Sequence, residues 1–160
     1  MNRTLFILTI LTVAVLAVQT FFIDRLVLFG IRADIVLIPI AALAFQTGRM
    51  VGMGYGFLTG LIVDMSTGFL GVNALSKTIA GYLWGSFHTE GKPLNNWLPN
   101  QFLQVFAIGC VFHYLIYSGF MHLYLADSVW QFIIKYLGGQ TLYTLLFAFL
   151  FRLYFWSRQR

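Results

Sequence analysis

From Thr4 to Ile23 the chain carries no charged residue, and from Ile35 to Val63 it carries only one, Arg49. Such runs constrain the fold more than any motif. An apolar segment of about 20 residues is what an α-helix needs to cross a hydrocarbon layer roughly 30 Å thick. In that layer only a structure that satisfies its own backbone hydrogen bonds is viable. The remainder has the same character: of 160 residues, 59% are hydrophobic and 9% charged, with a mean hydropathy of +0.81, whereas soluble domains are about 25% charged. The reading is an all-α polytopic membrane protein in which residues 1–160 form a single transmembrane domain. One cysteine excludes a disulfide scaffold, and 18% aromatic residues exclude a disordered tail. Six spans of about 20 residues would leave only about 40 for loops and ends, too few for a large soluble catalytic domain.

Spans are predicted at about 4–23, 35–47, 50–64, 74–87, 102–125 and 132–156. Met1-Asn2-Arg3 looks like the charged start of a signal peptide, but the run behind it is too long and lacks a small-x-small cleavage site, so it reads as a first span. The stretch Ile35–Val63 is read as two short helices turning near Gln46-Thr47-Gly48-Arg49, with a bend at Pro39; without that turn there are five spans. Helices this short must tilt within a bundle or thin the bilayer. His88–Asn100, with Glu90, Lys92, Pro93 and Pro99, is the clearest loop outside the membrane. Six spans with both termini cytoplasmic put six basic residues inside (Arg3, Arg49, Lys92, Arg152, Arg158, Arg160) and four outside (Arg25, Arg32, Lys77, Lys135), the sense basic residues favour. Asp24, Asp34, Asp64 and Asp127 then fall outside. Trp84, Trp97, Trp130 and Trp156 sit near span ends, as rings of an interfacial belt do. Lys77 and Lys135, near the starts of their spans, are expected to snorkel to the interface.

The charge of +5 comes from scattered Lys and Arg rather than a basic stripe, so nucleic acid is not an expected partner. Cys110 and His113 share a helix face at i and i+3, yet two side chains do not make a metal centre or a nucleophilic pair. They read as a small apolar cysteine and a histidine hydrogen-bonded inside the bundle. No paired carboxylates, phosphate loop or Ser-His-Asp set can be assembled, so no catalytic residue, metal or cofactor is expected.

One pattern stands out. Gly48, Gly52, Gly56 and Gly60 recur at every fourth residue, with Asp64 one step further on. A step of four advances about 400° on a helix, so these positions form a side-chain-free groove along one face. In lipid such faces let two backbones approach closely. Gly81 and Gly85 offer a second face of this kind. The groove can be filled by another helix of the chain, by a partner's helix or by a ligand. Asp64 is an ionisable group at a span end. It can close the turn leading to Asn73, meeting Lys77 or Arg32, or serve a proton, a cation or a partner.

Read as one string, Asp34 to Gly85 carries Pro39, the glycine ladder, Gly60-Leu-Ile-Val-Asp64, Leu70-Gly71-Val-Asn73-Ala74-Leu75 and Gly81-Tyr82-Leu-Trp-Gly85. This resembles the MreD family of rod-shape-determining membrane proteins, with Ala33 standing where the family pattern has proline. The resemblance implies a six-helix bundle like the substrate-binding component of energy-coupling-factor transporters. It also implies a non-enzymatic subunit of the bacterial cell-elongation machinery in the cytoplasmic membrane. The partner it implies is MreC, bound through transmembrane helices. The wider complex would hold MreB, a glycan polymerase and a penicillin-binding transpeptidase that together build side-wall peptidoglycan. On that basis a glycine face, Gly48 to Gly60 or Gly81 and Gly85, is expected to receive the MreC helix. The rival from the same fold is a membrane transporter component binding a vitamin-type ligand, which would need convergent polar groups from long loops. A second rival, a lipid or cell-wall precursor enzyme, would need a carboxylate or histidine cluster at one interface.

Overall fold

In the computed structural model, residues 3–21, 31–69, 71–89, 99–125, 130 and 132–157 are described. They form an all-α structure of six helices: α1 (Arg3–Phe21), α2 (Leu37–Thr47), α3 (Arg49–Thr67), α4 (Val72–Gly85), α5 (Pro99–Leu125) and α6 (Gln140–Ser157), the last continuing a π-helical segment over Phe132–Gly139. Asp24, Arg25, Glu90, Lys92, Pro93, Trp97, Asp127, Arg158 and Arg160 lie outside the described residues. The segments Gln101–Leu123 and Ile133–Leu153 are long and apolar enough to cross a membrane by length and composition; Phe6–Phe21 and Leu37–Thr47 are apolar but shorter.

The centre is α2. Every residue from Leu37 to Phe45 is buried, as befits a helix that is apolar all round. It is enclosed by α1, α3 and α4. Eleven residues rise only about 16 Å, so α2 is a core element shorter than a bilayer. The bend expected at Pro39 is not needed, because the helix begins at Leu37 and Pro39 sits in its first turn. There the missing N–H would have no intrahelical acceptor anyway.

The chain reverses between α2 and α3 on one residue. Gly48 adopts φ 87°, and its N–H closes α2 on the Ala44 carbonyl at 2.9 Å; a side chain would be strained in that left-handed region. At its far end α3 runs beyond the expected 64 to Thr67 and stops at Gly68, φ 80°, whose N–H bonds the Asp64 carbonyl at 2.9 Å.

Trp84 corrects the interfacial reading. It is fully buried, stacked on Phe106 with centroids 5.3 Å apart, and its indole N–H donates to the Val105 carbonyl at 3.2 Å. Gly109 makes this possible, because a Cβ there would collide with the indole. Trp130, by contrast, is exposed.

Around this apolar core several polar side chains lie inside and many large apolar ones outside. Ser76, Lys77, Asp64, Ser118 and Thr144 are all 0% exposed. Large apolar side chains face outward along the long helices: Ile10 and Val13 on α1, Phe57 and Ile62 on α3, Phe112 and Leu115 on α5, Leu146 and Leu150 on α6.

Candidate functional site

The glycine ladder is filled from within the chain, for α3 and α4 form the most extensive helix pair. A Cβ added at Gly52 would lie 2.6 Å from the Gly81 carbonyl oxygen, and one at Gly60 would lie 2.5 Å from the Ala74 Cα. One at Gly56 would overlap the Lys77 carbonyl, and one at Gly85 would come 2.5 Å from the Arg49 Cα. The contact is reciprocal, since a Cβ at Gly81 would strike the Gly52 carbonyl. The two glycine faces read separately from sequence are therefore two sides of one seam. Gly48 serves the turn, and Gly54, off the ladder, faces open space.

This seam brings a polar network together at one end of the bundle. Asp64, in the last turn of α3, has its carboxylate fully buried, accepting the backbone N–H groups of Gly71, Asn73 and Ala74 at 3.0, 2.9 and 2.9 Å and the Asn73 side-chain amide at 2.9 Å. The first turn of α4 has N–H groups without intrahelical partners, and Gly71, φ 95°, has no side chain to cap them. Asp64 supplies that cap from the preceding helix, where its charge also suits the positive end of α4. Asn73 continues the chain of contacts: its side-chain Oδ1 accepts from Lys77 Nζ at 3.4 Å.

Lys77 does not snorkel. It is 0% exposed and its ammonium pairs with Asp34 rather than with Asp64. Because its Cα lies on the α3–α4 seam, the side chain points into the bundle and an acid must meet it there. Asp34 is held for the purpose by groups from four elements. Its other oxygen accepts the Val36 N–H at 3.2 Å. Its backbone N–H donates to the hydroxyls of Tyr114 on α5 and Thr144 on α6, at 3.2 and 3.1 Å, which are bonded to each other. On either side, the Gln19 amide of α1 clamps the extended backbone, donating to the Ala33 carbonyl at 2.9 Å and accepting from the Ile35 N–H at 3.0 Å.

His113 joins the same cluster, with Nε2 3.6 Å from the Asp34 carboxylate. Its Nδ1 and the Gln140 Oε1 are buried without a hydrogen-bond partner among the described residues. Both residues line a recess bordered also by Arg32, Asp34, Asn73 and Tyr117, with a volume of about 60 Å³. Cys110 lies buried one turn from His113, a free thiol in the apolar core. Among the described residues no group of three or more His, Cys, Asp or Glu is placed to hold a metal.

A second concavity has the opposite character. Leu11 and Val15 of α1, Ile35, Ile38 and Pro39 around α2, and Phe147, Leu150 and Phe151 of α6 line an open groove of about 240 Å³ with almost no polar surface.

Sequence reading missed the roles of Asp34, Gln19, Tyr114 and Thr144. A signal was present: Gln19 is the only side-chain amide in the first apolar run, and polar groups in such runs are costly unless paired. Comparison of the chain with protein-family models, curated proteins and solved structures yields no match.

Proposed function

We propose that this chain is a non-enzymatic, multi-pass subunit of the bacterial cell-elongation complex, of the MreD kind. In this reading it lies in the cytoplasmic membrane with both termini inside and docks the transmembrane helix of MreC. The observation that carries the reading is a helical bundle with buried polar groups, Asp34, Asp64 and Lys77 paired among them, and many large apolar side chains outside, together with an apolar groove between α1, α2 and α6. An exterior of that kind is at home in lipid, where polar side chains are tolerated only when turned inward and partnered. With the glycine faces spent on the α3–α4 seam, the groove becomes the surface offered to a partner helix. Ridges of side chains on an apolar helix fit such a groove by packing alone.

The test is co-expression with MreC, extraction in mild detergent, and co-elution at fixed ratio. Val15→Trp, which fills the groove, is expected to abolish co-elution while leaving the bundle folded. Retained co-elution with Val15→Trp removes the groove from the reading. The vitamin-binding alternative is disfavoured by size, since the polar recess of about 60 Å³ falls well short of the roughly 300–1,000 Å³ of drug-sized ligand pockets.

A further inference from the structure

The recess beside Asp34 carries a ligand prediction of its own. Two of its lining residues bury a polar atom that no group among the described residues satisfies: His113 is 1% exposed and Gln140 5%. A native structure rarely leaves two such atoms in one place without a use.

Their chemistry is defined by their neighbours. The His113 Nε2 faces an acceptor, the Asp34 carboxylate at 3.6 Å, so the ring proton belongs on Nε2 and Nδ1 presents a lone pair. The Gln140 Oε1 is an acceptor by nature, so both open positions call for donors. A cationic donor is disfavoured, because Lys77 already neutralises Asp34 and backbone N–H groups surround the Asp64 carboxylate. That leaves Arg32, exposed at the rim of the recess, as the charge without a balancing acid within it. The arrangement asks for hydroxyl donors inside and an anion at the mouth. A volume of about 60 Å³ is room for about two waters, the scale of the two hydroxyl groups of a glycerol end.

We infer that this recess is a binding site for a glycerol-phosphate group, its hydroxyls donating to His113 Nδ1 and Gln140 Oε1 and its phosphate paired with Arg32. The placement suits a lipid head. The recess lies where α1 and α3 end and α4 and α6 begin, with Gln19, Thr67, Asn73 and Gln140 on its wall. It rests on the membrane reading above, under which that end of the bundle meets the outer head-group layer. Phosphatidylglycerol and free glycerol phosphate share the chemistry, and the experiment separates them.

The full chain is reconstituted in phosphatidylcholine nanodiscs with and without phosphatidylglycerol, and separately in neutral detergent with sn-glycerol 3-phosphate. Thermal stability and lipid retained in native mass spectrometry are read for the wild type, Gln140→Met and Arg32→Gln. Phosphatidylglycerol is expected to raise the melting temperature and to be retained, with Gln140→Met and Arg32→Gln each weakening retention about tenfold, the scale of one hydrogen bond or charge-assisted contact. In pure phosphatidylcholine Gln140→Met should be as stable as the wild type or more so, since it removes an unsatisfied buried acceptor; a merely structural glutamine would show the reverse. The same shifts with soluble glycerol phosphate alone support the site and assign its source to the aqueous phase. Equal retention of both lipids by all three proteins, without response to glycerol phosphate, overturns the inference. Failure of the membrane reading would look different: a chain monodisperse in buffer without detergent.

Discussion

Alanine at Gly52 and alanine at Gly54 should have opposite consequences although the two residues share a helix turn. At Gly52 the new Cβ would lie 2.6 Å from the Gly81 carbonyl oxygen and 2.7 Å from the Ala44 Cβ, whereas ordinary contact is 3.4–4 Å. Both neighbours belong to packed helices, so α3 must move by about 1 Å from α2 and α4 in an interior packed to crystal-like density. Overpacking of this kind costs about 1–3 kcal/mol. At Gly54 nothing lies within 4 Å, so only the helix-forming advantage of alanine, about 0.5–1 kcal/mol, remains. That advantage is common to both variants, so their difference isolates the steric contribution: Gly52→Ala should be less stable than Gly54→Ala by about 1–3 kcal/mol. Unfolding in mixed micelles, followed by the fluorescence of the stacked Trp84, measures it. Equal stabilities for the two variants would refute the close α3–α4 seam.

Three further substitutions probe the polar network. Asp64→Asn keeps the shape but turns an amide donor toward N–H groups of the α4 cap, and should cost about 2–3 kcal/mol in the same unfolding assay. Lys77→Met alone strands the Asp34 carboxylate and should destabilise by about 3–5 kcal/mol; adding Asp34→Asn should recover part of that loss in a double-mutant cycle. Gln19→Leu leaves the Ala33 carbonyl and Ile35 N–H unpaired, costing about 1–3 kcal/mol for each group left buried. Faster hydrogen exchange at Ile35 would report that loosening directly.

The sequence displayed the helices and the glycine spacing because both depend on local periodicity. The partner of the ladder was not legible: four glycines at a spacing of four define a groove, while what lies in it depends on how α4 folds back after Gly68 and Gly71. Asp64 was readable as a turn-closing residue from its place between a glycine ladder and Asn73. Lys77 was misread because its nearness to a helix start suggested reach to an interface, and only the direction of the seam reveals that it points inward to Asp34, 43 residues away. Trp84 was misplaced for a similar reason, since the glycine that admits it, Gly109, lies on another helix. Hydroxyls such as those of Tyr114 and Thr144 carry no sequence mark that they will meet over one backbone N–H.

The most direct test of the proposed role is site-specific photo-crosslinking in cells producing this chain with MreC. A photoreactive residue at Val15 or Leu150, in the groove, is expected to trap MreC. The same residue at Ile62, exposed on α3, is expected to trap none. Crosslinks from Ile62 with none from the groove would contradict the docking face, and no crosslink or co-elution from any position would contradict the role itself.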